Sequence, residues 1–460
     1  MSLSLVDSHA HLDGKRFADD LNAILQRATE QGVDTILTVG CNLESSRRSI
    51  ELARQYPQIY ASVGIHPHDA ETASKEALNE LRRLTTTSDK VVAIGETGLD
   101  YYRNHSPHAS QKKAFIDQIR LARELQLPLI IHDRDAHEDV LQILREEKAS
   151  EIGGVLHCFS GDLNMARQCV DLGFYISFPG TITYPANESL RDVARALPID
   201  VMLVETDAPY LAPQQWRGKR NEPAYVRATA EYLARLKGLT LDDVARITSL
   251  NCYRLFGIGK ADQSTRIAYT IRNSLYLNIT NRCTNACTFC AKFNDFTVKG
   301  HQLCLQSEPD LDEVLTAIGD PTRFEEVVFC GYGEPLIRLD LVKAVAKKLK
   351  EQKIIVRINT DGQANLVHQR NILPELEGLV DSISISLNAA DAATYQKICR
   401  SEFGEESYTA VKTFLTEAKK YIPTVTASAV ALPGLDIDAC RQVADELGVA
   451  FRARAYNEVG

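Results

Sequence analysis

The stretch Ser4-Leu5-Val6-Asp7-Ser8-His9-Ala10-His11 decides how the first half of this chain is read. A short apolar run opens a strand, and two histidines close it at i and i+2, where strand side chains point to the same side. Working outward, strands are expected at 4–7, 33–39, 58–65, 91–95, 128–132, 153–157, 174–178 and 201–205. Amphipathic helical patterns lie between them, among others at 19–31, 44–55, 111–126 and 165–172. Apolar runs alternating with helical periods mark a parallel α/β sheet. Eight such units in residues 1–258 fit a (β/α)8 barrel, whose chemistry sits at the C-terminal ends of its strands.

Periodicity breaks at Gly257-Ile258-Gly259-Lys260-Ala261-Asp262-Gln263-Ser264, and residues 259–269 are expected to form a linker. Beyond it the alternation restarts, with strands near 273–279, 326–331, 353–360, 380–387, 424–431 and 450–455. Six strands across residues 270–460 suit an open, partial (β/α)6 barrel better than a closed one. The whole is therefore an α/β chain of two domains.

Composition narrows the function classes. With 460 residues, 44% hydrophobic and 25% charged, the chain is globular rather than disordered. No apolar run approaches the roughly 18 residues of a membrane span, so no membrane partner is expected. Met1-Ser2-Leu3-Ser4-Leu5-Val6-Asp7 has neither a basic stretch nor a long apolar one, so no secretory signal is expected either. Eleven cysteines, an odd number, then point to reduced thiols and a cytoplasmic setting. The net charge of −9 divides into −6 for residues 1–258 and −3 for the rest, so neither half is a basic nucleic-acid arm. Bound cations can still supply a positive field.

Metal-ligand side chains recur at the same rim of the first barrel. His9 and His11 end strand one, Glu96 strand four, His132 strand five and His157 strand six, and Asp207 follows strand eight. Six such groups can hold two divalent cations with a carboxylate bridging them. Lone strand-end histidines are usually structural, but six groups at one rim are not explained that way.

Val6-Asp7-Ser8-His9-Ala10-His11-Leu12-Asp13, Gly64-Ile65-His66-Pro67-His68, Gly95-Glu96-Thr97-Gly98-Leu99-Asp100-Tyr101, His132, His157-Cys158-Phe159-Ser160-Gly161 and Glu205-Thr206-Asp207-Ala208-Pro209-Tyr210-Leu211 are carried in that order. Together with Arg217-Gly218-Lys219-Arg220-Asn221-Glu222-Pro223 they resemble the TatD-type metal-dependent deoxyribonucleases, TIM-barrel enzymes. The resemblance implies that His9, His11, Glu96 and Asp207 hold one cation, and Glu96, His132 and His157 a second. Glu96 and Asp207 are then the catalytic carboxylates, Asp207 also taking a proton from the attacking water. His66, His68 and Arg220, with Lys219, are expected on the substrate side; for His66 or His68 capping of its own loop is the competing role. His105, His108 and His137 read as solvated. Zn, Mn and Mg all suit such ligands. DNA or another phosphodiester is the implied substrate, and an amide or ester the alternative that shares these ligands.

In the second half, Cys283-Thr284-Asn285-Ala286-Cys287-Thr288-Phe289-Cys290 follows the first strand. Three thiolates spaced C-x3-C-x2-C can hold three irons of a cubane and leave the fourth open. Zinc is the competing ligand set, with His301 and Cys304 nearby, though in no common zinc spacing. This loop, with Phe289 before the last cysteine, resembles the radical S-adenosylmethionine enzymes. So do Phe329-Cys330-Gly331-Tyr332-Gly333-Glu334-Pro335, which departs from a GGEP segment at Tyr332, and Arg357-Ile358-Asn359-Thr360-Asp361-Gly362. Residues 270–460 look like the radical enzyme associated with TatD-type nucleases.

The implied cofactors are a 4Fe-4S cluster on Cys283, Cys287 and Cys290 and S-adenosyl-L-methionine. Phe289, Gly331, Gly333, Glu334, Asn359, Asp361 and Ser386 would contact that cofactor, with Ala431-Leu432-Pro433-Gly434 against its adenine. A reductant such as flavodoxin or ferredoxin is the implied partner. The other eight thiols, from Cys41 to Cys440, read as small buried hydrophobes. Arg452 and Arg454 alternate on the last strand, where Arg454 either meets an anionic substrate or lies on the surface. The expectation is a bifunctional enzyme, a two-metal hydrolase fused to a radical enzyme of unknown substrate. The alternative of another class makes one half a substrate-binding module.

Overall fold

The computed structural model describes residues 3–260, 264–293 and 296–456. The chain forms two compact units, Met1–Ala261 and Asp262–Gly460. In the first, strands β1 (Leu5–Ala10), β2 (Val33–Val39), β3 (Ile59–Val63), β4 (Val91–Asp100), β5 (Leu129–Arg134), β6 (Gly154–Leu156), β7 (Phe174–Phe178) and β8 (Met202–Val204) pair in sequence order, all parallel. A parallel bridge between Ala10 and Ala208, with the His11 N–H donating to the Ala208 carbonyl at 2.7 Å, joins the two ends. The expected (β/α)8 barrel is present.

Strand alternation splits the core in two. Leu5, Ile36, Ile59, Leu129, Ile131 and Leu156 turn outward and pack under the helices. Val6, Leu37, Val92, Ile130, Val155 and Leu203 turn inward, against Cys252, Phe256 and Ile258 at the end of the last helix. The inward parity continues up the strands: two residues beyond Ile130 comes His132, beyond Val155 His157, beyond Leu203 Glu205. On these strands the inward face is thus apolar at the bottom and carries an imidazole or carboxylate at the top.

Strand β4 is twice as long as the sequence implied and buried along its whole length. Gly95 and Gly98 read as terminators in sequence, yet they are what permits the extension. At Gly98, with φ of +141°, a Cβ would stand 2.0 Å from the His132 carbonyl oxygen. Only glycine allows the two strands to approach there.

In the second unit, strands β9 (Ala268–Ile271), β10 (Ser274–Leu277), β13 (Glu326–Phe329), β14 (Val356–Thr360), β15 (Ser382–Ser386), β16 (Thr424–Ala431) and β17 (Ala450–Ala455) form one sheet; a small hairpin, β11 (Thr297–Val298) and β12 (His301–Gln302), stands apart. The six expected parallel strands are there, in the order β10-β13-β14-β15-β16-β17. A seventh, β9, pairs antiparallel with β10 and lies partly inside the span 259–269 read as linker. Its Ala-Tyr-Thr-Ile is too short to announce a strand, and pairing with β10 is what orders it. Ile383, Ile385, Phe414 and Leu415 belong to the core beneath the outer helices. The alternate positions Ser382, Ser384 and Ser386 are partly accessible on the inner, concave side.

Phe115, fully buried in the barrel core, sets a test of that packing. Phe115→Ala should cost about 3–5 kcal/mol. The single tryptophan of the chain, Trp216, stacks on Tyr225 within the first unit, so its fluorescence in a urea titration reads that loss directly.

Candidate metal centre and cysteine loop

Glu96 stands in the middle of the barrel rim, buried, with its two oxygens facing different partners. Oε2 lies 3.5 Å from His9 Nε2 and 3.6 Å from His11 Nε2. Oε1 lies 2.8 Å from His157 Nε2, 2.9 Å from His132 Nδ1 and 3.3 Å from His66 Nε2. Asp207 Oδ1 is 3.2 Å from His11 Nε2 and 3.9 Å from His9 Nε2. All six expected ligand side chains therefore meet in one place.

The donor set fits cations. His9 Nε2 and His11 Nε2 face one another at 3.3 Å, two ring nitrogens aimed at the same space. His9 Nδ1, His157 Nδ1 and Glu205 Oε2 are buried without any hydrogen-bond partner. Among the described residues, three groups have ligand atoms within 4.8 Å of one another: His9–His11–Glu96, His66–Glu96–His132 and His9–His157–Glu205. The nitrogens that face Glu96, Nε2 of His9 and His11 on one oxygen and Nδ1 of His132 and Nε2 of His157 on the other, form a donor set that suits a divalent cation on each side.

Without cations the charges must settle among themselves. Burial favours the neutral acid at Glu96, but His157, His66 and His132 hold it well below the usual carboxylate range. Burial opposes charge on His157, yet Glu96 and Glu205 push it up to about 10. His11 is likewise held well above its ordinary value by Cys41, Asp207 and Glu96 against the effect of burial. His9, wholly buried, is pushed down.

His66 does two things at once. Its Nδ1 accepts the His68 N–H at 3.0 Å, capping its own loop, and burial lowers it to about 4, so the ring is neutral. Since Nδ1 accepts, Nε2 carries the hydrogen and is a donor toward the site, not a ligand. His68 donates to Asp100 at 2.9 Å. Arg220, expected at the substrate, instead puts its terminal nitrogens on Asp20 at 3.0 and 2.6 Å and lies over the Phe17 ring. Lys219 is exposed; His108 stacks on Tyr101 and His137 bonds Asp133. His105 is exposed, its ring 4.6 Å from that of His68.

Several contributors have no role that the sequence alone assigns. Asp100 accepts from both His68 and His132 Nε2, the latter at 3.1 Å, and so fixes the ring whose Nδ1 faces Glu96. Gln118, from the helix His108–Leu125, accepts the Ile65 N–H and donates to the Ile65 carbonyl and Thr97 Oγ1, tying the His66 loop to strand β4. Asp7 accepts from the Thr206 N–H and hydroxyl, setting the turn in which Asp207 adopts φ of +54°. Cys41, read as a packing residue, has Sγ 3.5 Å from His11 Nδ1.

The centre opens into a cleft of about 930 Å³, lined on its way out by Arg103, Arg134, Tyr210 and Leu211. Tyr210 is 51% exposed and Tyr102, beneath the Arg134 guanidinium at 4.2 Å, is 56% exposed. Arg16 lies 5.5 Å above the Tyr210 ring.

In the second unit the cysteine loop is fastened from below. Ala286 N–H donates to the Cys399 carbonyl and Thr288 N–H to that of Ile398. Thr284 Oγ1 donates to Asp361 Oδ2 at 2.5 Å, and Gln363 Nε2 to Asn285 Oδ1 at 2.8 Å. Cys283, Cys287 and Cys290 are each half-buried. Their thiols are pushed up, Cys287 by its contact with Cys399 and by burial, Cys283 and Cys290 chiefly by burial. Such thiols ionise only with metal at hand. A cubane fits this loop because it spreads its thiolates over separate irons, unlike the close donors of one ion. His301, the zinc alternative, donates its Nε2–H to the Thr270 carbonyl oxygen at 2.9 Å.

Glu334 is buried and accepts from the Leu336 and Asp361 N–H groups and the Thr360 hydroxyl. It locks the Gly331–Pro335 turn to the end of β14. A Cβ on Gly333 would stand 2.2 Å from the Thr280 carbonyl oxygen, so the turn lies directly on the cysteine-loop entry. Asn359 accepts from Arg357 at 2.7 Å, and Asp361 is spent on the cysteine loop. Phe289 and Ser386 remain half-buried beside these elements.

Residues 6–257 match the family described as "TatD related DNase", and residues 277–447 match the "Radical SAM superfamily". Over 254 residues the chain is 44% identical to "Uncharacterized metal-dependent hydrolase YabD" of Bacillus subtilis, covering 55% of this chain and 99% of that one. It is 38% identical over 262 residues to "3'-5' ssDNA/RNA exonuclease TatD" of Escherichia fergusonii, again 55% of this chain and 99% of that one. Among solved structures it resembles YJJV, a TatD homolog from Escherichia coli. There the TM-score is 0.54 and the identity 34%, covering 56% of this chain and 100% of the other.

The metal-free charge state gives a test. His157 holds a proton up to about pH 10 and must lose it to bind metal, so cation uptake releases protons and weakens as pH falls. In weak buffer at pH 8, adding Zn or Mn to the stripped protein should acidify the solution. Asp100→Asn, which unlocks His132, should cost about 10–100-fold in metal affinity. Glu96→Gln should lower metal content on both sides at once, read by elemental analysis after dialysis.

Proposed function

Because the chain belongs to the TatD-related DNase family and carries a radical SAM domain as well, we propose that it is a bifunctional enzyme. Its first unit is a metal-dependent hydrolase, and the bond we assign to it is the phosphodiester of single-stranded nucleic acid. Its second unit cleaves S-adenosylmethionine reductively and acts on a further substrate, drawing electrons from a flavodoxin- or ferredoxin-type reductant.

The observation that carries the first half is the division of Glu96 between two sets of imidazoles. His9, His11, Glu96 and Asp207 would hold one cation and Glu96, His132 and His157 the other, Zn, Mn or Mg being the candidates. A cation pair so held clamps phosphate oxygens and makes an attacking water more acidic. The chain's own groups do the rest. Asp207 would accept the water's proton, its backbone fixed by donating to the His9 carbonyl at 2.9 Å and its carboxylate held beside His11 Nε2. His66 presents Nε2–H to a substrate oxygen, and Asp100 keeps His68 and His132 in place.

A cation pair alone does not separate phosphodiesters from amides or esters. The cleft mouth favours the former. Exposed Tyr102 and Tyr210 offer stacking faces for bases, and Arg16, Arg103 and Arg134 offer charge for the backbone between them. The Escherichia fergusonii relative bears the name of a single-strand exonuclease, in keeping with that reading.

For the second half, the cysteine loop and the Gly331–Pro335 turn carry the reading. Cys283, Cys287 and Cys290 would hold a 4Fe-4S cluster, which with S-adenosylmethionine supplies one-electron chemistry. Glu334 and Asp361 act on the protein side, one fixing the turn and the other the loop.

Both halves have direct tests. Metal-loaded protein should degrade single-stranded DNA, and chelation should abolish it. Asp207→Asn should lower turnover by about 10²–10⁴. Tyr102→Ala and Tyr210→Ala should raise KM for the oligonucleotide while sparing bis(p-nitrophenyl) phosphate. Hydrolysis of amide or ester panels without any nuclease activity would move the assignment to those bonds.

Anaerobically reconstituted wild type should be brown and form 5′-deoxyadenosine with dithionite. A Cys283→Ala/Cys287→Ala/Cys290→Ala protein should do neither. Equal behaviour of the two would sink the radical reading.

A further inference from the structure

Strand β17 places a cation where the fold itself has no use for one. Phe451 packs on the helix-side core, so by strand alternation Arg452 and Arg454 turn to the inner face of the sheet. There Arg452 pairs in register with Ser428 and Arg454 with Val430 on β16. The same face carries Arg357 and Asn359 from β14, and Cys330 follows β13.

The three arginines are not equivalent. Arg357 is held by Glu326 at 2.8 Å and bonds Asn359, and Arg452 also acts on Glu326. Among the described residues Arg454 has no such partner. Its Nε is buried there without a hydrogen bond, and the side chains that act on it most are Cys330, Arg452 and Cys287. Burial weakens its hold on the proton, in the direction expected of an uncompensated charge. Guanidinium nevertheless stays charged in proteins. Arg454 as a whole is half-buried, but a covered polar atom left without a partner costs stability, so its Nε is kept for something other than folding.

We propose that Arg454 is the anion-recognition residue of the second unit, binding a carboxylate or phosphate group of that unit's substrate on the inner face of the sheet. Arg454 lies at the C-terminal end of β17, the same end of the parallel strands from which the cysteine loop leaves β10, where a substrate must lie to meet the chemistry started there. Its planar fork suits either anion in a two-point contact. The inference rests on the radical SAM reading only for what occupies the rest of the face. The other source of a carboxylate is S-adenosylmethionine itself, and the test separates the two.

The experiment uses the full, reconstituted chain and Arg454→Met and Arg454→Lys variants. Hydrogen exchange is followed by peptide with inorganic phosphate or succinate as probe, the barrel peptide around 205–211 serving as internal control. At least one probe should slow exchange at 424–431 and 450–455 in the wild type, and Arg454→Met should lose that protection. Affinity for S-adenosylmethionine should stay within twofold, and the Tm of Arg454→Met should equal or exceed that of wild type, since an unpaired charge has gone. Equal protection in both proteins, or none in either, overturns the proposal. So does a fall in S-adenosylmethionine affinity, which would give the guanidinium to the cosubstrate, or a lowered Tm with unchanged protection, which would make it structural. Failure of the wild type to form 5′-deoxyadenosine would instead count against the radical reading itself.

Discussion

One buried carboxylate organises the first unit. Glu96 faces five imidazoles at 2.8–3.6 Å, and no other arrangement at the barrel rim explains why so many polar groups are gathered out of water. The surrounding structure serves that position. Strand β4 must run on past Gly95 to reach it, Gly98 must lack a side chain to let β5 approach, and Gln118 must pin the loop that brings His66. Without cations the site is held by shared protons, some rings charged and others neutral. His9, His11, His132, His157, Glu96 and Asp207 would hold cations in exchange for those protons without any rearrangement of the strands that carry them. Preorganisation of this kind makes rigid side-chain placement, not loop closure, the source of the geometry.

What could be read from sequence followed from periodicity. His9 and His11 stand at i and i+2 on a strand, and His132 and His157 continue the inward parity of Ile130 and Val155, so their convergence is local strand geometry multiplied by eight. Asp100 and Gln118 act through space across tens of residues, and their types are ordinary for a strand end and a helix, so nothing local marks them. Cys41 likewise looks like any small core residue until His11 is placed beside it. Arg220 suggests a phosphate by its type, but its pairing with Asp20, 200 residues away in sequence, shows only in the fold. Strand β9 escaped for a related reason. Four residues carry too little pattern, and only the unpaired edge of β10 gives them a structure.

The acidic balance of the chain and a polyanionic substrate are compatible once scale is considered. The −6 charge of residues 1–258 is spread over the surface and screened within about 10 Å at ordinary ionic strength. A phosphodiester in the cleft would meet Arg103 and Arg134, which line it, and any cations held at the rim, all at shorter range. Exposed Tyr102 and Tyr210 add contact that net charge does not register. Long-range steering would be poor in such a protein, and binding would owe more to stacking and direct clamping. Its salt dependence should be correspondingly shallow.

The two centres differ in how the chain prepares them. At the barrel rim, opposite charges already face one another and the metal replaces protons in a framework held by strands. At the cysteine loop, the three thiols are each pushed toward the neutral form, and the backbone bonds to residues 398–399, with Asp361 and Gln363, are what keep the loop in place. The first site is thus held by paired charges and the cysteine loop by backbone and side-chain hydrogen bonds. Iron would have to bring its own charge to ionise those thiols, whereas a divalent cation would enter a site already carrying carboxylates. Loss of the cluster should leave the loop standing but chemically inert, while loss of the cations should leave a proton-filled replica of the working site.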